Sequence, residues 1–189
     1  MTMQAEKSVN AKNQDEETLR FQSSPDISLE RVEELNEIQR FASPQDVLRV
    51  AIHELYNGKI ALVSSFGAES AILLHMASEI DPNIPVIFVD TGKLFPETIA
   101  YRDQLGQRFG LTNIQTVTPD DSLIHLKDPN GNLWETDTDG CCHIRKVLPF
   151  DQALAPFVAE ISGRKRFQND IRSQLGFFEK TERSIKVNP

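Results

Sequence analysis

Four short strand-like runs, Ile60-Ala-Leu-Val63, Pro85 to Val89, Asn113 to Val117 and Val158 to Ile161, the first two apolar throughout, alternate with segments of helical periodicity. Strands that are apolar without a break are buried on both faces, and such strands pair in parallel with crossover helices between them. The pattern predicts an α/β fold, a parallel sheet covered by helices. Helices are expected over 28–40, from Ser43 to the Asn57-Gly58 turn, over 68–79, over 96–109 up to Gly110, and over 146–154, where Pro149 complicates the start. Ser43-Pro44-Gln45-Asp46 is a clean helix start, with a capping serine, a proline that suits N1 and an acid at the positive helix end. Residues 118–139 read as a long irregular stretch, and the polar residues 1–27 as a disordered tail ahead of one domain spanning 28–189.

Charge narrows the function classes. A net charge of −8 and a pI near 5.0 argue against a general nucleic-acid binder, because phosphate affinity needs clustered cations. Any positive site must then be local. Met1 to Pro25 carries no apolar signal-peptide core, and no apolar run is long enough to span a bilayer. With two cysteines and no targeting segment, the expected location is the reducing cytoplasm, with no membrane partner.

In parallel sheets ligands bind beyond the carboxyl ends of the strands. The first strand runs into Ser64-Ser-Phe-Gly-Ala-Glu-Ser70, where small residues let backbone N–H groups approach an anion at a helix start; a capped turn explains the same residues. No Gly-Lys-Ser/Thr follows, so this is not a Walker loop. The second strand ends in Asp90-Thr91-Gly92, either a nucleoside-reading edge or an ordinary turn. The fourth ends in Ser162-Gly-Arg-Lys-Arg166, with Arg172 beyond it. Four cations gathered at one strand end of an acidic chain favour an anion site over a solvated face.

Cys141 and Cys142 are adjacent, in Gly140-Cys-Cys-His-Ile-Arg-Lys146. Neighbouring cysteines form a disulfide only under strain. Arg145 and Lys146 close behind suggest thiolates in a positive field, suited to a metal or an anion; two buried structural thiols are the alternative.

Taken together, Ser65-Phe-Gly-Ala-Glu-Ser70, Val89-Asp-Thr-Gly-Lys-Leu-Phe-Pro-Glu-Thr98, Cys141-Cys-His-Ile-Arg-Lys146 and Ile161-Ser-Gly-Arg-Lys-Arg-Phe-Gln168 resemble the assimilatory adenylyl-sulfate reductases. These are the adenosine 5′-phosphosulfate (APS) and 3′-phospho-APS reductases of the PP-loop, adenine-nucleotide alpha-hydrolase-like fold. The resemblance covers roughly residues 43–189, with the four motifs in order. It implies thioredoxin-dependent reduction of APS to sulfite and AMP, with APS as substrate and thioredoxin or a similar dithiol as reductant. Substrate binding would fall to Ser65, Phe66, Gly67, Ser70, Val89, Asp90, Thr91, Gly92, Lys146, Gly163, Arg164, Arg166 and Arg172, with Lys165 extending the positive field. The resemblance makes Cys141 and Cys142 two of four ligands of a [4Fe–4S] cluster, as in the APS-using branch.

The same resemblance implies a later Cys-x-x-Cys and a C-terminal cysteine nucleophile, neither of which occurs in these 189 residues. The expectation is therefore a C-terminally truncated reductase with no catalytic residue of its own. The competing readings are a non-catalytic adenine-nucleotide-binding remnant, or another PP-loop enzyme such as an ATP sulfurylase small subunit. Homo-oligomerisation is left open. His53 and His75 are expected to pack in helices and Trp134 to pack the irregular stretch down. His143 could tune the cysteines or face solvent, and His125 has no assigned role.

Overall fold

The structure, a computed structural model, describes residues 28–164 and 175–189. The polar tail 1–27 and the cations Lys165, Arg166 and Arg172 lie outside the described residues. A six-stranded sheet has the order β3-β2-β1-β4-β6-β5, with β1 Ile60–Val63, β2 Val86–Val89, β3 Ile114–Val117, β4 Ala159–Ile161, β5 Phe178–Lys180 and β6 Ile185–Val187. The four anticipated strands pair in parallel as expected, and β6 joins β4 in parallel. The sheet is not wholly parallel, because β5 closes the edge as an antiparallel partner of β6.

The helices form largely where the periodicity places them. Helix α1, Leu29–Ile38, starts at Ser28, whose hydroxyl accepts from the Arg31 N–H. Helix α2, Pro44–Arg49, is capped by Ser43 and continues as a π-helical turn over Val50–Leu55. Helix α3 spans Ser70–Ile80, and α4 spans Pro96–Phe109, ending at Gly110 in the left-handed conformation at φ 64°. Register alternation puts Ile60, Leu62, Val86, Phe88, Ala159, Ile161, Ile185 and Val187 on one face of the sheet. They build the main core with Val32 and Leu35 of α1, Val47 and Leu48 of α2, Leu73, Leu74 and Ala77 of α3, and Leu105 of α4.

The stretch 118–139 is helical rather than irregular. Helix α5, Asp121–Lys127, is capped by Asp120, which accepts from the Leu123 N–H at 2.9 Å. Helices α6, Leu133–Thr136, and α7, Thr138–Cys142, follow. A π-helical turn, His143–Val147, leads into α8, Leu148–Leu154, which packs on β2 and β3. In the π turn the Leu148 N–H reaches back five residues to His143 O, and Pro149, next in the chain, has no N–H to donate.

Two packing expectations fail and a third holds in part. Trp134 is 54% exposed and holds no loop down. His53 faces solvent on the outer side of its helix. His75 is exposed too, its ring edge-on to Phe109 at 5.2 Å and its Nε2 3.8 Å from Glu79. The apolar neighbours that suggested burial lie on the opposite faces of those helices. His143 and His125 are likewise exposed.

Candidate functional site

Strand order reverses at β1: the chain builds β1, β2 and β3 outward, then crosses back to place β4 on the other side of β1. Loops leaving β1 and β4 therefore diverge, and the gap between them is the crevice where open α/β sheets take ligands. A cavity of about 810 Å³ lies there. Of the residues anticipated from sequence, Ser65, Gly67, Ser70, Val89, Thr91, Lys146, Gly163 and Arg164 line it.

The loop after β1 is shaped by Ser64 and Phe66. The buried Ser64 hydroxyl accepts the Phe66 N–H at 3.0 Å. Phe66 adopts φ 52°, the only positive value among the described non-glycine residues. Its ring is 1% exposed and packs perpendicular to Phe88, so Phe66 anchors the loop from the core and, unlike the expectation from sequence, does not line the cavity. The Ser70 N–H bonds to Gly67 O at 2.8 Å, which opens α3.

Beyond β2, Asp90 and Gly92 do not line the cavity. Asp90 Oδ1 accepts the Gly92 N–H at 2.9 Å, and Gly92 takes φ 71°, so the two form the turn that presents Thr91. Beyond β4, the Arg164 guanidinium contacts Glu179 of β5 and sits 3.4 Å from the Ser162 hydroxyl, which donates to Asn188 Oδ1 at 2.6 Å. Lys146 is exposed and has no carboxylate partner among the described residues.

Sequence reasoning missed several wall residues: Leu73, Leu94, Val147 and Phe150 supply apolar surface, and Asp151 and Arg183 a charged pair. Arg183 Nη1 approaches Asp151 Oδ1 to 2.6 Å, and that carboxylate raises the Arg183 pKa above its ordinary value. Asp151 and Arg183 are 32 positions apart in sequence, in α8 and in the turn before β6, so no local motif signals them.

The cysteines sit outside the cavity wall, Cys141 buried and Cys142 exposed. Asp137 caps their helix, Oδ1 accepting the Gly140 N–H at 2.8 Å. Arg145 does not face them as part of a positive field: its Nε and Nη2 donate to Asp128 Oδ2 at 3.1 and 2.7 Å. Hydrogen bonds from Arg145 hold the Asp128 carboxyl below its ordinary value, against the opposing effect of burial. A [4Fe–4S] cluster with all-cysteine ligation takes four thiolates. These 189 residues contain two, and among the described residues no group of three or more His, Cys, Asp or Glu side chains could hold a metal ion. The residues present fit half of such a ligand set and not the whole.

No helix among the described residues is long and apolar enough to cross a membrane. Residues 59–189 match the phosphoadenosine phosphosulfate reductase domain. An adenosine 5′-phosphosulfate reductase of Mesorhizobium japonicum is 50% identical over 146 residues, covering 77% of this chain and 58% of the relative. That of Chelativorans sp. is 48% identical over 132 residues, covering 70% of this chain and 54% of the relative. The chain thus spans a little over half the length of these relatives. A crystal structure of phosphoadenylyl-sulfate reductase from Candida auris, in complex with phosphate, superposes with a TM-score of 0.74 at 26% identity, covering 88% of this chain and 81% of that one. With the domain pattern matching well over half its residues, the chain belongs to the phosphoadenosine phosphosulfate reductase domain family.

Proposed function

We propose that this chain is the nucleotide-binding part of a cytoplasmic reductase that converts adenosine 5′-phosphosulfate to sulfite and AMP, with thioredoxin or a similar dithiol as reductant. The observation that carries this reading is the cavity at the β1/β4 switch point, which combines an apolar floor with Lys146 and Arg164 at its polar wall. Adenosine fits the apolar part near Val89 and Thr91. The phosphosulfate fits the backbone N–H groups of Ser65–Ser70 and the Lys146 ammonium, where charge-assisted bonds are strongest. The phosphate complex of the Candida auris structure supports anion binding by this fold.

In the reaction so assigned, a cysteine thiolate attacks the sulfur of the phosphosulfate, the S–O bond to AMP breaks, and an S-sulfocysteine forms. Attack by the dithiol on that cysteine sulfur releases sulfite and leaves a disulfide. The chain's own residues bind the nucleotide and stabilise charge on the departing phosphate through Lys146. Cys141 and Cys142 are proposed as two ligands of a [4Fe–4S] cluster, and no step is assigned to it.

Calorimetric titration tests the assignment. APS and AMP should bind the wild-type chain, and Lys146→Ala should weaken APS binding by about tenfold or more, the loss of one charge-assisted hydrogen bond. Equal APS affinity in the two proteins would remove Lys146 from the site. No binding of either nucleotide would sink the reading.

A further inference from the structure

Arg145 is 8% exposed, yet it borders the cavity wall rather than the solvent. Every nitrogen of its guanidinium is engaged. Nε and Nη2 bind Asp128 Oδ2, while Nη1 donates to Thr91 O at 3.0 Å. Asp128 is 3% exposed and uses its other oxygen, Oδ1, to accept the Leu133 N–H at 2.9 Å. An unbroken chain of bonds thus runs from Thr91, in the wall of the cavity, through Arg145 and Asp128 to Leu133, the first residue of α6. A second tie runs beside it, from Lys93 Nζ to Gly131 O at 2.7 Å. Gly92, between Thr91 and Lys93, takes φ 71°, a backbone conformation that favours glycine, and so shapes the turn that meets Arg145.

A buried ion pair is poor value as stabilisation alone, because desolvation offsets much of the attraction. What three directed bonds from one planar group supply is geometry. We propose that Arg145, held by Asp128, is a positioning residue that joins the turn after β2 to the segment 128–142, so that a ligand against Thr91 is felt at the helices leading to Cys141 and Cys142. The inference rests on the reading that the cavity takes an adenine nucleotide. Coupling of this kind is reciprocal: fixing either end favours the bound arrangement of the other.

Amide hydrogen exchange on the 189-residue chain, with and without saturating AMP, tests it. Leu133 to Gly140 do not line the cavity, so slower exchange there reports the tie rather than direct contact. In the wild type, AMP should slow exchange at these amides by about fivefold or more, the lower end of usual coupling between sites. Arg145→Lys keeps the charge but replaces the planar fork with a single ammonium, which cannot reproduce the bonds to both Asp128 and Thr91. It should cut the AMP-dependent slowing at least severalfold, only the Lys93 tie remaining, and raise the AMP Kd by a similar factor. A purely structural role predicts faster exchange with and without AMP alike, leaving the ratio intact, and that result overturns the inference. Asp128→Asn provides a second variant with the same expectation should Arg145→Lys fail to fold. AMP binding to the wild type without slowing at 133–140 overturns this inference and leaves the cavity reading standing. Absence of AMP binding overturns both.

Discussion

The ring of Phe66 stands perpendicular to that of Phe88, with centroids 5.4 Å apart. This edge-to-face contact fastens the loop after β1 to the second strand of the sheet, from below the cavity. Replacing Phe66 with alanine removes a fully buried ring and leaves a void beneath the loop. The expected cost is about 3–5 kcal/mol of stability. Denaturant melts measure it, and a loss under about 1 kcal/mol would show that the ring does not anchor the loop.

Asp128 gives the chain an acid-sensitive joint. Its carboxyl is held below its ordinary value of 3.8 by the Arg145 hydrogen bonds, so the native state favours the ionised form. A depressed carboxyl contributes stability that is fully present above the unfolded value and is lost as pH falls through the native one. Wild-type stability should therefore fall below pH 3.8 more steeply than that of Asp128→Asn, which should be less stable at neutral pH and converge on the wild type in acid. Thermal melts from pH 7 to pH 3 read the difference; parallel curves would refute the coupling.

Asn36 closes the sheet edge. Its Oδ1 accepts the Phe178 N–H at 2.9 Å and its Nδ2 donates to Phe178 O at 2.7 Å, so a side chain of α1 takes up backbone groups of edge strand β5. Unpaired edge groups template association with other chains. Asn36→Ala should cost about 1–3 kcal/mol, the sum of two ordinary hydrogen bonds, and increase association on concentration. Light scattering and denaturant melts check both; an unchanged association state with unchanged stability would contradict the edge-capping role.

Gly140 is held to its identity by Asp137. A Cβ at this position would lie 2.2 Å from Asp137 Oδ2, the carboxylate that caps the cysteine helix. Gly140→Ala should dislodge the cap and cost about 0.5–2 kcal/mol. Asp137→Ala removes the obstruction along with the cap, so adding Gly140→Ala to it should cost nothing further. A full additive cost in the double variant would show that the clash is not the cause.

The parts of this fold that were legible in the sequence are those written in local pattern. Strands β1 and β2 are apolar runs bounded by turn residues, β3 and β4 are short runs in the same strand-helix alternation, and Ser43-Pro44 and Gly110 mark helix ends by their own backbone chemistry. Strands β5 and β6 are three residues each, with Glu179, Lys180 and Lys186 among them, and they exist as strands only through pairing with β4 and each other. Helices α5 to α7 span seven, four and five residues, too short for an apolar face to repeat. At the site, Ser65, Gly67 and Gly163 are visible because small residues at strand ends have a local meaning. Arg145 was visible as a charge, but its partner Asp128 lies 17 positions away and turns that charge inward. The Asp151–Arg183 pair joins α8 to the turn between β5 and β6, two segments far apart in sequence.

The central claim is that an adenine nucleotide binds at the β1/β4 switch point. Heteronuclear NMR of the isotopically labelled 189-residue chain, titrated with AMP, tests it most directly. Saturable backbone shifts should concentrate at Ser64–Ser70, Val89–Thr91 and Ser162–Arg164, the residues that leave β1, β2 and β4. Shifts concentrated instead in the groove along α3 and α4, around Tyr101 and Phe109, or no saturable shifts at millimolar AMP, would contradict the account.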